Sequence, residues 1–285
     1  MTRVPRIARI RLVVSNLAAA ERQYRALGFE AASEAREERA AEGRTTSLRL
    51  TLGEEEIELA QCDPPGRPYP ADSTSADLWF QHFAIVVVDM DDAHARVRSE
   101  AGFAAISRGG PQTLPANTGG VRAFKFRDAD GHPLELLQFR RDDEPGRWRN
   151  RSARGAFLGI DHSAIAVADA AASEAFYAAY GFCVDGRSLN RGAEQACLDD
   201  LQAPEVDVVG LRAADDRLPR LELLGYRIPR GRPAPAMAAN DIAATSLVLE
   251  ADVKHGRVEH DPDGHRLQLI PAAPPGDRPR AARSR

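Results

Sequence analysis

The stretch GIDHSAIAVAD (159–169) has a near copy in QHFAIVVVD (81–89). Each is an apolar run of strand length that opens with a histidine and ends with an aspartate. Side chains alternate faces along a strand. His162, Ala164 and Ala166 therefore share one face, and Ser163, Ile165 and Val167 share the other. In the copy, His82, Ala84, Val86 and Val88 oppose Phe83, Ile85 and Val87. The bulkier face is predicted to pack on a helix. The histidine face, kept open by small residues, is predicted to be concave.

The pattern extends outward from both strands. RIARIRLVVSNLAAAERQYRALGFEA from Arg6, QHFAIVVVDMDDAHARVRSEAGFAA from Gln81 and IDHSAIAVADAAASEAFYAAYGFCV from Ile160 share one layout. A β-rich run leads to Asn16, Asp89 or Asp169, residues that cap helix starts. About ten helical residues then end at Gly28, Gly102 or Gly181, as a left-handed C-cap requires. Shorter β stretches follow, closing on EEIELAQ (55–61), HPLELLQF (132–139) and RLELLGY (220–226). A fourth, truncated unit keeps an opening strand in DIAATSLVLEAD (241–252) and a closing hairpin in HDPDGHRLQLIP (260–271), with no room for the helix. The fold class is α+β, with four βαβββ-type modules at about 6–62, 79–140, 157–229 and 240–271. The first two make an N-terminal region, 1–145, and the last two a C-terminal region, 156–272. Residues 273–285 are expected to be disordered, and the arginine-rich stretch 140–155 to be a solvated linker.

The HxAIxVxD openings, the DADGHPLELLQF hairpin and the fourfold repeat resemble the vicinal oxygen chelate superfamily. It includes glyoxalase I, methylmalonyl-CoA epimerase, extradiol dioxygenases and bleomycin- or fosfomycin-resistance proteins. The resemblance covers about residues 6–271. It implies that modules pair, that their curled mixed sheets form two cups with helices outside, and that each cup surrounds a site.

Two closing strands place a carboxylate among leucines: Glu135 opposes Leu134 and Leu136, and Glu222 opposes Leu221 and Leu223. Such a group is costly to bury unless paired or metal-bound. Imidazole and carboxylate together suit a first-row divalent ion. Modules two and three each offer one of both types, so His82, Glu135, His162 and Glu222 are the candidate ligands. The outer modules lack the set: Arg9 takes the histidine position beside Glu58, and Ala244 and Gln268 stand where a histidine and glutamate would be. If the middle modules pair, all four ligands share one cup, which is the glyoxalase I-like set. If modules pair in sequence order, as extradiol dioxygenases imply, neither cup is complete. Middle pairing is the expectation and sequence-order pairing the alternative.

Such a site would hold one divalent ion (Ni, Co, Zn, Mn or Fe) and leave positions for adjacent substrate oxygens. Glu135 or Glu222 would act as general base. The leading expectation is a glyoxalase I-like lyase or isomerase. The alternatives are a ring-cleaving dioxygenase, disfavoured by Ala244 and Gln268, and a non-catalytic binding or resistance protein. Asn190 and Gln195, on a segment expected to be a strand facing the cup (190–201), are candidate substrate contacts. So are Gln112 and Asn117, on a stretch (109–128) read as a mobile loop leading into a strand. His132 and His265, after DG turns, are read as hairpin residues and not ligands.

Bulk properties narrow the partners. Across 285 residues the charge balance is −4, with 43% apolar and 28% charged residues, which does not suit a nucleic-acid binder. No apolar run reaches the roughly 18 residues of a membrane span, and MTRVPRIARIRLVV lacks a secretory-leader pattern. Cys62, Cys183 and Cys197 show no CxxC spacing and fit a reducing compartment. The expectation is a cytoplasmic protein with a small-molecule substrate, monomeric or homodimeric.

Overall fold

The computed structural model describes residues 6–40, 43–149, 151 and 155–272; the tail from 273 lies outside the described residues. Module one comprises β1 (Arg6–Val13), α1 (Leu17–Ala26), β2 (Glu30–Ala31), β3 (Arg36–Ala40), β4 (Gly43–Leu52) and β5 (Glu55–Asp63). Module two comprises β6 (Gln81–Val87), α2 (Met90–Ser99), β7 (Ala104–Ala105), β8 (Gln112–Thr113), β9 (Arg122–Arg127) and β10 (Pro133–Gln138). A short helix, α3 (Gly146–Arg149), lies in the connection. Module three comprises β11 (Phe157–Ala166), α4 (Ala170–Ala178), β12 (Phe182–Arg191), α5 (Ala193–Asp199), β13 (Glu205–Ala213) and β14 (Arg220–Ile228). Module four retains β15 (Ser246–Ala251), β16 (Arg257–His260) and β17 (Arg266–Pro271).

The helix starts follow from their caps. Asn16 accepts from the Ala19 amide, Asp89 from Asp91 and Asp92, and Asp169 from Ala171 and Ala172. Gly28, Gly102 and Gly181 all have φ between +81° and +92° just past the helices, a conformation that costs glycine little.

The modules form two mixed sheets. One runs β16-β17-β15-β1-β5-β4-β2, with β3 also on β4. The other runs β12-β13-β14-β11-β6-β10-β9-β7, with β8 also on β9. β1 meets β15 and β6 meets β11, both antiparallel. Module one thus pairs with four, and two with three, so each sheet draws on both sequence regions. The bulky strand faces, including Phe83, Ile85, Leu134, Leu136, Leu221 and Leu247, join α1 and α2 in one continuous core. The opposite faces form an inner cup (modules two and three) and an outer cup (modules one and four).

A repeated buried clamp ties sequence neighbours across the two sheets. Tyr24 of α1 donates to Asp128 Oδ2 at 2.9 Å, and Asp128 Oδ1 accepts the amides of Asp130 and His132. His132 Nδ1 lies 2.9 Å from Asp128 Oδ2, and its Nε2 lies 3.1 Å from the Ile242 carbonyl. Both ring nitrogens face acceptors, so both are satisfied only in the imidazolium. In the second copy, Tyr177 donates to Asp261, which accepts the amides of Asp263 and His265. His265 Nε2 lies 2.8 Å from the Ala166 carbonyl. The two DG-turn histidines are therefore structural.

Four expectations need correction. Residues 193–199 form α5 and not a strand, because Gly192 at φ +101° ends β12 and the helix-forming run AEQACLD follows. The 140–155 connection is not simply solvated: Trp148 on α3 is fully buried. The 109–121 loop is tied down, with β8 paired to β9, the Leu114 amide donating to the Val121 carbonyl, and both side chains buried. Finally, Gln268 pairs with Val248 as Glu135 pairs with Ala84, so Ser246, and not Ala244, occupies the histidine position of module four. Ala244 precedes β15.

Burial alone would lower the His132 pKa, but the Asp128 carboxylate outweighs it and the pKa rises; His132 in turn holds Asp128 below its usual range despite burial. A raised histidine pKa gives stability that is fully present below the unfolded value of 6.5 and lost as pH rises through the folded value. The lowered Asp128 contributes above 3.8 and loses that contribution as pH falls through its folded value. Asp128→Asn is expected to lower the unfolding free energy by about 3–5 kcal/mol, as when one member of a buried ion pair is removed. It should also flatten the loss of stability on the alkaline side. Denaturant titrations between pH 5 and 9 check both.

Candidate metal centre and active site

Strand register builds the inner cup in two rows. Lys125, Glu135, Ala84, His162 and Arg220 lie side by side across β9, β10, β6, β11 and β14. His82, Ala164, Glu222 and Gly210 form the next row across β6, β11, β14 and β13. The alanines at 84 and 164 leave space between the polar groups. His82 and His162 are diagonal neighbours, with ring centroids 5.8 Å apart.

His82, Glu135 and His162 are all buried, and one donor atom from each lies within 4.8 Å of the others. His82 Nε2 is 2.8 Å from Glu135 Oε2, yet among the described residues neither nitrogen of this ring makes a well-formed hydrogen bond. His162 Nε2 is 3.5 Å from Glu222 Oε2. Glu222 lies deep in the cup but keeps 31% side-chain exposure because it faces the opening.

Asp161 supports His162 from behind. A β-bulge between Ile160 and His162 breaks the alternation, and Asp161 Oδ2 lies 3.1 Å from His162 Nδ1. Trp148 Nε1 donates to the other Asp161 oxygen at 3.2 Å. A carboxylate on Nδ1 directs Nε2 outward, the arrangement found behind metal-ligating histidines.

The charges are strongly coupled. Burial pushes the His82 pKa down to about 4, against the pull of Glu135, so this ring is neutral. Burial alone would raise Glu135, but His82 and Lys125 outweigh it and hold the carboxyl at about 2. His162 is up at about 9 because Glu222 and Asp161 overcome its burial. Burial, with Glu135 and Asp161 nearby, raises Glu222 against the pull of His162.

Beside the ligand candidates is a second buried network. Lys125 Nζ donates to Asp199 Oδ1 at 2.7 Å, while Gln195 and Tyr226 donate to Asp199 Oδ2 at 2.7 and 2.9 Å. Asp199 ends α5, just before Asp200 in the left-handed region at φ 53°. The cavity is about 320 Å³, with an apolar wall that includes Leu114, Val121, Leu137 and Phe139.

The four ligand candidates are thus brought together. Asn190 and Gln195 also line the cavity, but Asn190 accepts from Ser188 and Gln195 is engaged by Asp199. Gln112 lies off the cavity, its amide donating to the Arg108 and Gly110 carbonyls. Asn117 is exposed, while its neighbours Thr118 and Gly119 line the wall. Sequence reading missed Lys125, Asp199, Tyr226 and Asp161. Two left a signal: Lys125 shares a face with Ala123 in RAFKFR, and Tyr226 shares the Glu222 face of RLELLGY.

Residues 6–136 match the family model described as Glyoxalase/Bleomycin resistance protein/Dioxygenase superfamily. That match covers the N-terminal part of the chain, modules one and two. Glyoxalase I from Zea mays has the same overall fold at 17% identity and TM-score 0.59, over 94% of this chain and 92% of that one. A mutant of the same enzyme aligns at TM-score 0.61 and 16% identity, over 94% of both chains. A protein described as "putative dioxygenase from Bacillus subtilis" aligns at TM-score 0.60 and 14% identity, over 97% of this chain and 87% of that one. No curated protein sequence matches the chain. Among the described residues no helix is long and apolar enough to cross a membrane.

Removing Lys125 leaves Asp199 buried without its counter-charge. Lys125→Met is therefore expected to cost about 3–5 kcal/mol of stability, and Lys125→Met/Asp199→Leu to recover part of it. Chemical unfolding of wild type and the two variants measures this.

Proposed function

We propose that the inner cup binds one divalent metal ion through His82, His162, Glu135 and Glu222. The protein then acts as a glyoxalase I-like lyase or isomerase on a small metabolite with adjacent oxygens. The observation that carries this reading is the His82 ring: buried, neutral, with Nε2 only 2.8 Å from Glu135 Oε2, and without a well-formed hydrogen bond on either nitrogen among the described residues. A buried polar group in that state costs stability, and a cation held with Glu135 and His162 would engage it. The donors, two imidazoles and two carboxylates, suit Ni, Co, Zn, Mn or Fe.

Such an ion would supply Lewis acidity to the adjacent substrate oxygens. Proton movement falls to the chain's own carboxylates, and the two are not equivalent. Glu135 is 6% exposed, against His82 and in the row beside Lys125. Glu222 faces the open cavity, looser at 3.5 Å from His162, and is the group free to take a proton from substrate and return it. The apolar wall at Leu114, Val121 and Leu137 excludes water around it. Glu135 is assigned to holding the ion, and Glu222 to proton transfer.

A second reading draws on the tighter cluster of His82, His162 and Glu135. Two histidines and one carboxylate are the ligand set of non-haem iron oxygenases, so a ring-cleaving dioxygenase is the alternative. Metal analysis and oxygen uptake with catechols separate the two.

Metal content by mass spectrometry should show near-stoichiometric ion in wild type, lost in His82→Ala, His162→Ala and Glu135→Gln. A wild type that takes up no divalent ion overturns the assignment. Glu222→Gln should retain most of the metal but lose about 10²–10⁴-fold in solvent-deuterium exchange at a substrate carbon, the usual contribution of a general base. Exchange at the wild-type rate in Glu222→Gln would remove it from proton transfer.

A further inference from the structure

The outer cup has the same scaffold and a different chemistry. Glu58, Arg11, Ser246 and Arg266 form one row across β5, β1, β15 and β17. The corresponding inner row is Glu135, Ala84, His162 and Arg220. Both rows thus end on an arginine, but the two arginines differ in their partners. Arg220 donates to Asp185 and Asp216. The Arg266 guanidinium has no hydrogen bond or ion pair among the described residues, although it is partly buried. Burial, then the positive charge of Arg11, pulls its pKa below the ordinary value.

Arg11 is only loosely engaged. It lies 3.3 Å from Glu58 Oε1, while Arg9 takes the other oxygen at 2.6 Å. Both Arg11 and Arg266 line a cavity of about 490 Å³, within the roughly 300–1,000 Å³ range of small-molecule sites. Its one carboxylate, Asp63, is already held by Arg44 at 3.0 Å. Ser246 lies in the row between the two arginines, and Gln268 and Thr45 add polar groups. Val13, Val258 and Ala238 supply an apolar wall.

We infer that the outer cup is a second small-molecule site, for a small organic anion whose oxyanion head is held between Arg11 and Arg266 above Ser246. The two arginines stand two strand spacings apart, roughly 9–10 Å between backbones, so their long side chains converge on one head group. Guanidinium groups bind carboxylate and phosphate through paired, charge-assisted hydrogen bonds. The body of the anion would lie against Val13 and Val258. No metal is involved, because Arg9, Ser246 and Gln268 replace the inner cup's ligands. The inference is independent of the metal assignment.

The test is calorimetric titration of the full chain at constant ionic strength with two probes, inorganic phosphate and butyrate. Saturable binding of at least one is expected, and the stronger probe identifies the head group as phosphate or carboxylate. Arg266→Gln and Arg11→Gln should each weaken it about tenfold or more, the effect of a lost charge-assisted hydrogen bond. His82→Ala, in the other cup, should bind as wild type does. The two arginine variants separately guard against one failing to fold, and circular dichroism checks each. The inference is overturned if neither probe binds saturably, if both arginine variants bind like wild type, or if His82→Ala abolishes binding.

Discussion

The antiparallel pairing of β6 with β11 is the constraint on which the candidate site depends. It sets His82 opposite Ala164 and His162 opposite Ala84, so two histidines from strands eighty residues apart converge on one face. A one-residue slip would turn both imidazoles into the core and send Phe83 and Ile165 into the cup. The apolar face resists that slip, because Phe83, Ile85, Ile165 and Val167 are all buried in the shared core. The register shifts at Phe157–Gly159 and again at Ile160–His162, and the second bulge shapes the site. It places Asp161 behind the His162 ring, where strict alternation would have sent it away.

Pairing two with three leaves modules one and four to close on each other, and that raises a problem of connection. Modules one and two end up in different sheets, and so do modules three and four. The Tyr–Asp–His clamps join them again: Tyr24 of module one to Asp128 of module two, and Tyr177 of module three to Asp261 of module four. Their histidines reach further, to carbonyls at Ile242 and Ala166. Each clamp thus buries charge between sheets, where an unpaired group would be costly.

Much of this was legible in the sequence because it rests on periodicity and on caps. Alternation in the two HxA strands placed the histidines on the open face, and Asn16, Asp89 and Asp169 marked the helix starts. The leucines flanking Glu135 and Glu222 marked carboxylates facing a cavity. What failed depended on partners distant in sequence. Lys125 reads as an ordinary strand cation until Asp199 is placed beside it, and Asp199 could not be placed while 190–201 was taken for a strand. Gln112 and Asn117 were chosen for polarity alone. Polar side chains in turns often bond nearby backbone, as Gln112 does. The histidine position of module four reads as Ala244 in sequence, and the parallel register of β15 with β17 puts Ser246 there.

The two cups show how one backbone accommodates two ways of burying charge. At the same four positions the inner cup has His82, Glu135, His162 and Glu222, and the outer has Arg9, Glu58, Ser246 and Gln268. Glu58 is neutralised within the chain, by Arg9 at 2.6 Å, so the outer carboxylate has no need of a cation. Glu135 has instead a neutral imidazole at 2.8 Å and a lysine already engaged by Asp199. The open surplus in one cup is carboxylate and imidazole, made of metal-competent donors. In the other it is positive and made of guanidinium groups, with Arg266 lacking a partner among the described residues. A ligand of opposite sign is what each cup lacks, and the strand register that aligns the rows is what makes the two needs comparable residue by residue.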